Sequence, residues 1–360
     1  MAVSTAERVR ERLPFAVGEL TGALGDSVTV LPLVVALGAL TPASLAHVLV
    51  GFGVFQIVWG VRYGLPLSVE PMKALAGLAI AGALTYGELV AAGLLAGTVL
   101  LVVGATGTLG YVERYVGQPV IRGVQLAVAL LLVEAGLDLS MGQPSMAVAG
   151  GVIAIAIAAV GYWRFAGLAV LGVGTVWTLV VGPLPALALP TLTLFPTGSP
   201  AFTVGAVEGT LAQLAMTVGN AAVATSLLLG DFFDADVSAD RLSRSMGTMT
   251  LAAVPLGGFP MCHGSGGVAG KYAFGARTGG ANVVLGVLYL GAAVVAGLWL
   301  GFPMAMLGVL LFVVAAQLGR VAADTDHPVL VGAIGVLAVV TNVGVAFLGG
   351  LGYWLVSQRR

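Results

Sequence analysis

G-L-P-L-S-V-E-P-M-K, from Gly64 to Lys73, breaks an apolar run with two prolines, a serine, a glutamate and a lysine. A second break, G-F-P-M-C-H-G-S-G-G from Gly258 to Gly267, opens in the same way. Gly64 and Gly258 lie 194 residues apart, and so do Pro66 and Pro260. Proline lacks a backbone donor and stops the helix before it. Interrupted apolar segments at corresponding positions of two halves are a pointer to a binding site within a membrane. Each break is therefore expected to start a half-helix in mid-membrane, its positive end turned toward the other.

The rest of the chain provides the membrane context. Hydrophobic residues make up 59% and charged residues 9%, and the mean hydropathy is +1.05. A water-soluble chain of 360 residues could not cover that much apolar surface. The sole cysteine, Cys262, excludes an internal disulfide and a Cys-only metal cluster. Phosphate-loop, dinucleotide and zinc spacings are absent, and the arginines are scattered singly, so neither a cofactor nor nucleic acid is expected. Adjacent Cys262 and His263 have no third orienting group, so the chain does not read as an enzyme.

Hydropathy divides the chain into about fourteen spans: 14–40, 44–62, 68–84, 88–106, 118–136, 145–162, 165–182, 205–230, 237–256, 263–275, 280–300, 303–319, 328–341 and 343–357. With the N-terminus inside, Arg114, Arg164, Arg241, Arg244, Arg277, Arg320, Arg359 and Arg360 fall on the inner side, and the outer connections hold no Lys or Arg. Both termini are thus expected in the cytoplasm of a multi-pass protein. Four parts follow: a cytoplasmic segment 1–13, a seven-span repeat 14–182, an extracytoplasmic Pro-rich linker 183–204, and a second seven-span repeat 205–357. The shift of 194 also sets Gly25-Asp26 on Gly219-Asn220. Seven is odd, so the second repeat is inverted relative to the first. The fold class is an all-α polytopic membrane protein with two half-helices.

Ionisable residues inside the bilayer cost at least ~2.5 kcal/mol and are functional candidates by default. They are Glu19, Asp26, Glu70, Lys73, Glu134 and His263. Ser68 is expected to cap the first half-helix, with Lys73 one turn in. The amides near Val69, Glu70, Gly264, Ser265 and Gly266 form an anion site between the two helix ends. Ser68, Ser265, Lys73 and His263 assist them, and Asp26 and Asn220 close the site. Glu70 and Lys73, three apart, share a helix face and are also read as an ion pair. Asp26, Glu70 and His263 are the proton-coupling candidates.

P-M-C-H-G-S-G-G-V-A-G-K-Y-A-F-G-A-R-T-G-G, Pro260 to Gly280, closely resembles the signature of the molybdate-transporter family related to sulfate permeases. E-P-M-K-A-L-A (Glu70 to Ala76) resembles that family's other signature, and E-L-T-G-A-L-G-D (Glu19 to Asp26) its opening helix. The resemblance implies energised uptake of molybdate, with tungstate or sulfate as relatives, and a seven-plus-seven inverted repeat shared with sulfate and nucleobase permeases. It also implies a homodimer in the plasma membrane. The family's first motif commonly has Gln before Pro-Met-Lys, where this chain has Glu70. Typical sulfate permeases continue into a soluble regulatory domain, and none is expected here. The reading is a secondary active molybdate importer that works by alternating access, with the oxyanion, a coupling ion such as the proton, lipid and a second copy of the chain as its partners. The alternatives are a proton-coupled nucleobase permease of the same fold and a passive anion channel.

Overall fold

Gly64 leaves the helix Leu45–Tyr63 in the left-handed conformation, at φ 68°, which turns the chain back into the bundle where an L side chain would be strained. The second break does the same at Gly257, φ 79°, one residue before the glycine that the repeat spacing selects. From these turns two short strands, β1 (Glu70–Pro71) and β2 (Met261–Cys262), meet antiparallel, with Glu70 opposite Cys262 and Pro71 opposite Met261. The Met72 amide donates to the Pro260 carbonyl at 2.9 Å. Extended backbone is tolerated at this depth because each break satisfies the other's polar groups.

The computed structural model describes residues 16–182, 187 and 189–358, without the side chains of Thr29, Val112, Glu113, Arg114 and Asn220. The cytoplasmic segment expected at 1–13 lies outside the described residues, as do Arg359, Arg360 and part of the Pro-rich linker. The first helices are α1 (Val17–Leu40), α2 (Leu45–Tyr63), the half-helix α3 (Lys73–Ile80), α4 (Tyr86–Thr106) and a short α5 (Leu109–Val116). Then come α6 (Gln118–Gly142), α7 (Pro144–Ile157), α8 (Ala166–Val181), α9 (Val204–Met216), α10 (Ala224–Phe233) and α11 (Ala239–Ala253). The chain closes with the half-helix α12 (Ser265–Ala273), α13 (Gly280–Val294), α14 (Met304–Ala322), α15 (Pro328–Val340) and α16 (Val343–Ser357).

Among the described residues six helical stretches are long and apolar enough to cross a membrane, or seven if bent α1 counts as one, and α13, α15 and α16 are shorter apolar helices. Two of the helices, α1 and the α9–α10 stretch, are irregular. α1 bends by 45° around Thr29, in the turn before Pro32, where the ring displaces the carbonyl four residues back. α9 and α10 are joined by a π-helical stretch, Thr217–Val223, an irregularity often found at functional sites. α7 and α8 fold back on each other at Gly161, φ 88°. Val152, Ile155, Val176 and Val180 on this hairpin are exposed, as lipid-facing residues are.

The helices pack in two groups. In one, α2 lies along α13, α4 along α11, and α1 against α12. In the other, α6 packs on α14 and α15. Gly247 lets α11 approach α4 so closely that a Cβ there would meet the Gly97 carbonyl and Leu101 amide. The described part of the linker crosses the ends of the first group opposite the arginines. Phe195 donates to the Pro255 carbonyl, Ala201 to the Gly87 carbonyl, and Thr203 Oγ1 to Glu88.

Candidate functional site

The half-helix α3 starts at Lys73, not at Ser68, because strand pairing holds Glu70 and Pro71 extended. Ser68 is therefore not its cap, and Lys73 is its first residue rather than one turn in. The amides of Ala74 and Leu75 donate to Gln213 Oε1 at 2.9 and 3.3 Å, so a side chain from α9 already occupies that helix end. The opposite terminus differs. Gly264 caps α12, and the Gly267 amide donates to Glu70 Oε1 at 2.9 Å. Among the described residues no acceptor meets the amides of Ser265 and Gly266.

A cavity of about 160 Å³ lies over those two amides. Glu70, Lys73, Cys262, His263 and Gly264 to Gly266 line it from the breaks, and Gln213, Thr217 and Ala221 from α9 and the π-helical stretch after it. Gln125 of α6 and Leu318 and Val321 of α14 complete the wall, so the cavity sits between the two packing groups. Lys73 Nζ is 2.6 Å from Glu70 Oε2, so the lysine charge facing the cavity is shared with a carboxylate. His263 is fully buried. Its Nδ1 donates to the Ser68 carbonyl at 2.9 Å and its Nε2 lies 2.7 Å from Ser245 Oγ. Trp59 and Tyr63 pack edge-on against the ring.

Asp26, Ser68 and Val69 do not line the cavity. They lie behind Glu70 in a fully buried network. Ser68 Oγ is 2.6 Å from Asp26 Oδ1 and 3.2 Å from Glu70 Oε1. Gln56 Nε2 donates to Asp26 Oδ2 at 2.9 Å and to the Val69 carbonyl at 3.2 Å. Lys271 Nζ completes the network, 3.0 Å from Asp26 Oδ2, 2.8 Å from Asn282 Oδ1 and 3.1 Å from Gln56 Oε1. Asn282 in turn donates to the Leu67 carbonyl. A Cβ on Gly267 would run into Ser68, Asp26 and Glu70, and one on Gly264 into Glu70. Both glycines are there because carboxylates approach the backbone.

Asn220 falls in the π-helical stretch, and its side chain lies outside the described residues. Glu19 is buried and structural: it accepts from the amides of Arg277, Thr278 and Ala281, capping the start of α13. Glu134 lies exposed inside α6, away from the cavity. Sequence reasoning missed Lys271, Gln56, Asn282, Gln213 and Ser245. Lys271 was within reach, since a lysine inside an apolar half-helix is an intramembrane charge like the others.

Broken helices meet here through paired strands, with a cavity at the crossing, and this fold recurs in solved membrane proteins. The transmembrane domain of a cyanobacterial bicarbonate transporter, BicA, superposes with a TM-score of 0.64 at 18% identity, covering 93% of this chain and 97% of that one. The murine anion transporter Slc26a9, in an inward-facing state, gives 0.71 at 13% identity, over 99% of this chain and 72% of that one. The family model described as "Molybdate transporter of MFS superfamily" matches residues 18–132 and 205–318, and the chain belongs to that family. It is a family of transporters, not enzymes. Molybdate transporter 2 of Arabidopsis thaliana is 28% identical, over 89% of this chain and 81% of its own length. Molybdate transporter 1 of Chlamydomonas reinhardtii is also 28% identical, over 97% and 93%.

Proposed function

We propose that this chain is a secondary active transporter that imports molybdate across the plasma membrane by alternating access, coupled to protons, with tungstate and sulfate as competing tetrahedral anions. The observation that carries this reading is the cavity where Lys73 faces the open amides of Ser265 and Gly266. An oxyanion there would accept from those amides, from Ser265 Oγ and from Lys73 Nζ, at the positive end of α12. The names of the similar plant and algal proteins support molybdate as the cargo.

Glu70 supplies the coupling. While ionised it holds Lys73, and a dianion entering the cavity meets its negative charge. A proton on Glu70 removes that repulsion and releases the ammonium to the anion, so proton and anion bind together. Asp26 is held by three donors outside the cavity and serves to fix Ser68 and Lys271. The scaffold is read as fourteen spans in two inverted repeats of seven. The two matched stretches of the family model and the exchange of partners between α2–α13 and α11–α4 support it. Alternating access comes from rocking the first packing group against α6 and α14, with the cavity between them. Both termini face the cytoplasm in this reading, and the assembly is a homodimer.

Purified protein in liposomes should accumulate labelled molybdate when the outside is made acidic, with uptake that saturates. Uptake of uracil with none of molybdate sinks the oxyanion reading in favour of a nucleobase permease, for which the carboxylate of Glu70 in the cavity is the supporting observation. Flux that neither saturates nor responds to a proton gradient indicates a passive channel instead.

A further inference from the structure

A second cavity, of about 270 Å³, adjoins the first and shares Lys73, Gly266, Leu318 and Val321 with it. Its far wall carries Trp163, in the turn between α7 and α8, with Arg164 beside it and Arg320 from the last turn of α14. The Arg320 guanidinium lies 4.8 Å from the centre of the Trp163 ring and that of Arg164 lies 5.8 Å from it. Both arginines are exposed, and among the described residues neither makes an ion pair or donates a side-chain hydrogen bond. Several of the other described cations are engaged. Lys73 is paired with Glu70, Lys271 with Asp26, and Arg122 with Asp324, while Arg244 and Arg277 donate to backbone carbonyls. Two uncompensated positive charges thus stand on one aromatic ring at the edge of a cavity that leads to Lys73.

Two positive charges that line one cavity both stabilise an anion held there. Guanidinium forks match oxyanion oxygens in pairs, and stacking on an indole leaves their N–H edges free. We infer that this second cavity is a staging site, in which Arg164 and Arg320 hold the oxyanion dianion before it passes Lys73 and Gly266 to the inner cavity, or after it leaves. This rests on the oxyanion reading above. The same chemistry would suit a phospholipid headgroup, but continuity with the first cavity favours the free ion.

The test is equilibrium binding of radiolabelled molybdate to the full chain in nanodiscs, with zwitterionic lipid in one arm and added anionic lipid in the other. Wild type should bind two ions per chain. R164Q/R320Q should bind one, and should raise the KM for transport from the arginine-bearing face about tenfold, as expected for losing a charged hydrogen-bond pair. R164K/R320K should keep the second ion with weaker affinity, which separates loss of charge from loss of fold. Unchanged stoichiometry and KM in R164Q/R320Q overturn the staging site while leaving the oxyanion reading intact. An effect of R164Q/R320Q confined to the anionic-lipid arm also overturns it, assigning the arginines to headgroups. Absence of any molybdate binding by wild type overturns both readings together.

Discussion

At Glu70 one carboxylate has three donors around it: Ser68 Oγ, the Gly267 amide and Lys73 Nζ. Replacing it by Gln keeps the shape and removes both the negative charge and the titration. E70Q should therefore bind molybdate at least as tightly as wild type, yet its uptake should no longer respond to acidification of the loading side. Uptake in proteoliposomes with and without a pH gradient checks this, and an E70Q uptake that still tracks the gradient moves the coupling elsewhere. Lys271 makes the complementary case. Its ammonium is fully buried with four oxygen neighbours, so K271M leaves Asp26 charged and unpaired, at a cost of about 3–5 kcal/mol. The melting temperature of K271M should fall clearly, and D26N/K271M should recover part of the loss. A double variant no more stable than the single would show that the pair is not coupled.

At the scale of the element, the two half-helices are not equivalent. α3 begins under the Gln213 side chain, whereas α12 begins on glycines with open amides. G267A should abolish molybdate binding, because its methyl group would occupy the place of the Ser68, Asp26 and Glu70 oxygens. G172A, in α8 and away from both cavities, meets no atom within 4 Å and should fold and bind as wild type, which makes it the control. Binding by G267A equal to that of G172A would show that the close approach of the carboxylates does not matter to the site. Ser68 shows how local reasoning went astray here. Its residue type suits an N-cap, but pairing of β1 with β2 keeps the chain extended past it, and long-range pairing overrides a local preference.

For the whole molecule, the cavity lies where the two packing groups meet, and under the proposed alternating access motion of one group against the other would open it to each side in turn. Cys262, the sole cysteine, lines that cavity and reports on access. A membrane-impermeant thiol reagent should label it from one face at a time, and saturating molybdate should slow the labelling. Simultaneous labelling from both faces would point to a continuous pore. The arginines give the molecule its polarity. Arg241 packs on Tyr63, Arg244 reaches Gly104, and Arg164 and Arg320 share Trp163, all at helix ends away from the linker.

The sequence by itself determined the membrane setting, the place of both breaks and the residues that meet there, because hydropathy and proline act locally along the chain. Asp26, Glu70, Lys73 and His263 were all legible as charges or polar groups that lipid would not tolerate. Only the tertiary structure decided which of them face the cavity. Asp26 is drawn behind Glu70 by Lys271, a residue 245 positions away, and α3 is closed by Gln213 from the other half of the chain. Such partners share no local pattern. They are selected by the requirement that every buried charge and open helix end finds a mate across the fold.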